Sequence, residues 1–145
     1  MNKRILSCIT ALMLSVMTFG QVNSLLGDWM TVDDKTGERR SIVTIYQDTD
    51  GLYYGKISKL LVGNSDLVCT VCTGEDKNAK IEGLVIIRGM QYDAEKNHLS
   101  GGKVLDPESG KFYYGKIFTK DGNLVLRGSL DKRGIFGRNQ TWLRK

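Results

Sequence analysis

The chain has 145 residues, 41% of them hydrophobic and 26% charged, enough to close one core and too few for two domains of ordinary size. Its net charge is +5 at pH 7, but beyond pairs such as Arg39-Arg40 and Lys132-Arg133 the cations are spread along the whole length. Nucleic-acid sites cluster their cations and interleave stacking aromatics, so nucleic acid is not an expected partner. The mild basicity reads as a solvated surface, with weak attraction to anionic lipid or glycan as the alternative.

The first element in chain order is an export signal over residues 1–20. Lys3 and Arg4 form a basic start, residues 5–19 are an apolar run, and Thr18 and Gly20 are the small residues before a cleavage site at Gln21. Cleavage after Ser24 is the second choice. The run is too short to span a bilayer comfortably. Cys8 lies inside it and not at its end, which argues against lipid attachment. The mature protein is expected to be periplasmic or secreted, without an integral membrane segment, as one domain over residues 21–145.

That domain reads as all-β. Segments rich in Val, Ile, Tyr, Phe and Thr recur between turn signals, which predicts strands over 26–31, 40–47, 52–61, 81–92, 98–105, 111–119, 123–130 and 136–144. Asp50-Gly51, Asp121-Gly122, the Asp93 to Asn97 stretch and Asp106-Pro107 supply the hairpin turns between them. Eight antiparallel neighbours remove their edges by closing into an up-and-down barrel of the lipocalin or calycin type. Tyr53-Tyr54-Gly55-Lys56-Ile57 recurs as Tyr113-Tyr114-Gly115-Lys116-Ile117. With the lysines facing water, Tyr53, Gly55 and Ile57 and their counterparts Tyr113, Gly115 and Ile117 turn inward. The strand glycines, with Gly83, Gly89 and Gly128, are read as bends.

Residues 62–80 form an anomalous connection, longer than the roughly 12–15 residues usual for a structureless loop. It carries Cys69 and Cys72, which have three readings. An exported chain favours a structural disulfide. A thioredoxin-like redox site needs a helix after the first cysteine, and none is predicted. A zinc site needs about four ligands, whereas the exported body offers two thiols and one imidazole, His98. Catalysis fares no better. His98 reads as solvated, no Gly-x-Ser-x-Gly elbow occurs, and the two Ser-x-x-Lys matches fall on strands, where i and i+3 point apart. No metal and no cofactor are expected.

Gly27-Asp28-Trp29 at the first strand resembles the lipocalin signature. That resemblance implies a tryptophan closing the barrel floor under an arginine of the last strand, here Arg138 or Arg144. The same three residues, Tyr54-Gly55-Lys56-Ile57, the Gly101 to Lys111 block and the closing Gly137-Arg138-Asn139-Gln140-Thr141-Trp142 resemble the bacterial family called domain of unknown function 2147. The resemblance spans nearly all of the body. It implies an exported lipocalin-like barrel of no assigned activity, and brings no catalytic residue with it. Cysteines that many relatives place around the hairpin at 48–54 are missing here.

The expected function is a non-enzymatic binding module in the cell envelope for a small apolar or amphipathic ligand. Trp29, Tyr53 and Tyr113 would form its walls, and Arg138 or Gln140 would anchor a polar end. One alternative is a structural or envelope-stress interaction protein with a solid core, acting through its outer surface or long loop. A lesser alternative is a thiol redox protein using Cys69 and Cys72. An interior with no room for a ligand separates the first reading from the second.

Overall fold

A computed structural model describes residues 17–145; residues 1–16, most of the expected signal, lie outside the described residues. A short helix, α1 (Met17–Val22), precedes eight strands: β1 (Gly27–Val32), β2 (Arg39–Gln47), β3 (Tyr53–Leu60), β4 (Val85–Asp93), β5 (His98–Asp106), β6 (Lys111–Lys120), β7 (Asn123–Ser129) and β8 (Gly137–Arg144). Each pairs antiparallel with its chain neighbour, and β8 returns to β1, closing the barrel. The chemistry of the turns explains the succession. Asn97 and Asp121 take positive φ (47° and 53°), as short hairpin turns demand and as Asn and Asp tolerate.

The meander gives the barrel two unlike ends. The tight turns after β2, β4 and β6 lie at one end, with α1; this is the closed end. The connections after β1, β3, β5 and β7 lie at the other, the loop end. Alternation sends Trp29, Val43, Ile45, Ile57, Leu99, Ile117, Leu124 and Trp142 inward, and all are buried. Both copies of the Tyr-Tyr-Gly-Lys-Ile repeat face as expected, with the lysines exposed.

The inward glycines have a different job from the one the sequence suggests. Gly89 is a true bend, a bulge residue at φ 66°. Gly55, Gly115 and Gly128 have no such conformation, and the first two instead leave sockets. A Cβ on Gly55 would strike Ile87, one on Gly115 would strike the Met90 methyl, and one on Gly128 would touch the Tyr113 ring. Strand glycine here fits large neighbours into a narrow interior.

The long connection runs from Leu61 to Leu84, because β4 begins at Val85 and not at residue 81. Ile81 and Leu84 are apolar for another reason: they pack on the core from the loop, where Gly83 N–H donates to the Ile57 carbonyl at 2.7 Å. The segment is ordered by its own bonds. Cys69 and Asn78 exchange ladder-like bonds with Ala79 and Cys69, and Val68 bridges Lys80. Cys69 and Cys72 form a disulfide, with Cα atoms 5.4 Å apart. The loop docks on the β5–β6 turn, where Val71 presses against Gly110, and on β4, where Asp76 pairs with Arg88 at 2.9 Å. Outward-facing Ile86 and Leu105 are consequently buried.

Because the disulfide closes a very small ring, its chain-entropy contribution falls below the roughly 3 kcal/mol of a 15-residue loop. The docking contacts are independent of it. Replacing both cysteines by serine should lower the melting temperature by only a few degrees while raising protease cutting within 62–80, read by limited proteolysis and mass spectrometry. A collapse of the whole barrel would show that the disulfide holds more than its loop.

Candidate functional site

The floor of the barrel is built at the closed end from β1 and β8. Trp29 is 0% exposed, and its indole N–H donates to the Leu25 carbonyl at 3.0 Å. Register places Trp29 opposite Arg144, whose guanidinium lies 3.7 Å from the indole ring centroid. Arg144 also donates to the Leu26 and Ser24 carbonyls at 2.8 and 2.7 Å, tying the segment before β1 to the last strand. Of the two arginines open for this role, it is Arg144 that fills it. Arg138 sits six residues earlier on the same strand, at the loop end, and is exposed.

The remaining candidates do not gather. Tyr53 is buried at the closed end, its ring 6.5 Å from that of Tyr92. Gln140 is half-buried beside Leu126, and its side-chain oxygen accepts from the Trp142 indole at 3.4 Å. Tyr113, half-buried, lies over Gly128, which pairs with Arg138. Tyr113 and Arg138 therefore share the loop end, while Trp29 and Tyr53 belong to packed core. Through its middle and closed end the barrel is filled, whereas the inward-facing Tyr113, Gln140 and Arg138 toward the loop end keep exposed surface. Ile87, Met90, Leu99, Ile117 and Leu124 present no surface to a water-sized sphere, so no water-sized space borders them from within or without.

Open space occurs on the outer wall. Two adjoining hollows of about 480 and 540 Å³ lie over β5, β6 and β7, and no carboxylate lines either. Their lining includes Lys96, Lys116, Arg127, Lys132 and Arg133. Sheet pairing makes this cluster: Ser100 pairs with Lys116, and Lys116 with Arg127. Cations far apart in sequence thus share one face, which linear spacing conceals. His98 edges both hollows and is 8% exposed. Burial, and then the Lys116 ammonium, push its imidazole below the ordinary value, against the opposing pull of Asp93 3.8 Å away. Among the described residues no group of three His, Cys, Asp or Glu is placed to hold a metal. Cys69 and Cys72 are both buried beneath the loop surface, away from solvent.

A closed eight-stranded antiparallel barrel with a Trp–Arg floor is a lipocalin-like barrel. A Helicobacter pylori protein, HP1028, described as belonging to the lipocalin family, has a similar fold: the TM-score is 0.72 at 24% identity, over 83% of this chain and 82% of that one. The chain belongs to the family described as "Uncharacterized protein conserved in bacteria (DUF2147)", which matches residues 27–144. Among curated proteins none matches it.

Two measurements check the site. Arg144→Ala removes a ring stack and two charge-assisted bonds at a partly exposed position, and should cost about 1–2 kcal/mol in denaturant unfolding. Trp29→Ala, which empties the floor, should cost about 3–5 kcal/mol. In the double variant, strictly additive costs would mean that the guanidinium does not act through the ring.

For His98 the native value lies below that of the unfolded chain, so the unfolded chain takes up the proton first. Stability should therefore fall as pH drops through about 6.5 toward the lower native value. His98→Gln should flatten that limb of the melting curve and leave the carboxylate limb at lower pH intact. An NMR titration placing His98 at or above the ordinary value would contradict the assignment.

Proposed function

We propose that this protein is an exported, non-enzymatic interaction module of the bacterial cell envelope, working from its outer wall and loop end and not from an enclosed cavity. The packing of the barrel's middle and closed end supports this reading: an eight-stranded barrel can be packed by side chains or hold one small ligand, and Ile87, Met90, Leu99, Ile117 and Leu124 are wholly buried. Export is supported by the pattern of residues 1–20, and a disulfide suits an oxidising compartment. The relation to a lipocalin-family protein supports a binding role over a catalytic one.

A second reading keeps a small apolar or amphipathic ligand, seated at the loop end. Arg138 favours it, being exposed and free of any carboxylate among the described ion pairs, with Tyr113 close by. Gln140 is already engaged with Trp142 and contributes less.

Native mass spectrometry of protein purified from its own envelope tests both. The expected species is the bare chain starting at Gln21, with one disulfide. A stoichiometric small molecule lost in Arg138→Ala would establish the second reading. A molecule retained regardless of Arg138 would overturn the first by showing that the interior opens.

A further inference from the structure

We infer that the β7–β8 loop and the basic hollow beside it form one docking surface for an anionic lipid bilayer. This rests on the outer-wall reading and gives it a partner.

The loop is unusual in what it exposes. Leu130, Ile135 and Phe136 are 74%, 62% and 71% exposed, where a loop tip ordinarily carries small polar residues. They are not free to fold away. Arg127 donates to the Gly134 and Ile135 carbonyls at 2.6 and 3.1 Å and to the Asn139 side chain at 3.1 Å. The Asp131 carboxylate accepts from the Ile135 and Phe136 N–H groups at 3.1 and 2.8 Å, and the Leu130 N–H closes on the Phe136 carbonyl at 2.9 Å. The loop is thus held in a conformation that presents three apolar side chains to the outside, and little further ordering is needed on docking.

Charge selects the occupant. Asp131 is the one carboxylate in the loop, and its oxygens are engaged by backbone. Lys132 and Arg133 follow it and line the hollow with Lys96 and Lys116, where no carboxylate faces them. An apolar tip flanked by cations matches a bilayer interface with anionic headgroups, where apolar burial and electrostatic attraction add. A soluble polyanion would leave Leu130, Ile135 and Phe136 uncovered. A second copy docking by two-fold symmetry would set cations against cations.

The test is co-sedimentation of the mature protein with vesicles of phosphatidylglycerol and phosphatidylcholine in equal parts, against phosphatidylcholine alone. Partition should favour the anionic vesicles and weaken as salt rises. Lys132→Gln and Arg133→Gln should each weaken it roughly five-fold. Ile135→Ser with Phe136→Ser should weaken it at least about ten-fold, with an unchanged melting temperature because both positions are exposed. In Phe136→Trp the new indole should shift its emission to the blue on anionic vesicles, over a constant background from buried Trp29 and Trp142. Absent or composition-independent partition, or partition indifferent to the loop, would overturn the lipid assignment. So would a dimer dissociated by Phe136→Ser. None of these results touches the barrel's interior, so the outer-wall reading is judged separately by mass spectrometry.

Discussion

The barrel depends on one stack, the Arg144 guanidinium over the Trp29 indole. Neighbouring strands elsewhere pair over three to seven positions, but β1 and β8 pair only at Trp29 with Arg144 and Met30 with Leu143. The closing seam therefore has a short ladder, which the Arg144 stack and the bonds from Lys145 to Asp28 supplement. Arginine suits the position because its planar fork covers the ring while its N–H groups reach two carbonyls. Lysine could supply the charge but neither the plane nor the fork. With the seam shut no strand edge is left open, and the long apolar strands are protected from pairing with another chain.

A closed seam fixes the interior volume, and the glycines decide how it is filled. Gly55 and Gly115 receive Ile87 and Met90, so each missing side chain is answered by a large one from another strand. Complementarity of this kind packs the middle of the barrel densely. The same residues read in sequence as bends because a strand glycine has two physical uses, curvature and close approach. Only the neighbours across the barrel distinguish them.

This division explains what was legible. Seven of the eight strands could be placed to within one residue at each end because the turns between them are local chemistry, Asp-Gly, Asn and Pro at set offsets. The start of β4 was misplaced by four residues because Ile81 and Leu84 look like strand and are loop residues held on the core. Arg144 could not be separated from Arg138, since both lie on the same face of β8 and only the β1–β8 register tells them apart. The basic hollow was missed altogether. Lys96, Lys116, Arg127 and Lys132 look dispersed along the chain, and become neighbours only through β5–β6–β7 pairing. Dispersal in sequence is a poor measure of dispersal in space when strands fold back on one another.

The two ends of the barrel then divide the constraints. At the closed end the turns are tight and polar, every position is set by φ or by the floor, and α1 with Leu25 covers what remains. Substitution there alters the fold. At the loop end the odd-numbered connections carry exposed apolar side chains, and local bonds hold them: the disulfide in one loop, Arg127 and Asp131 in another. Such loops can change sequence without disturbing closure, the condition under which surface segments acquire binding roles. Closure at one end and bonded loops at the other make the barrel a mount for what its rim and outer wall display.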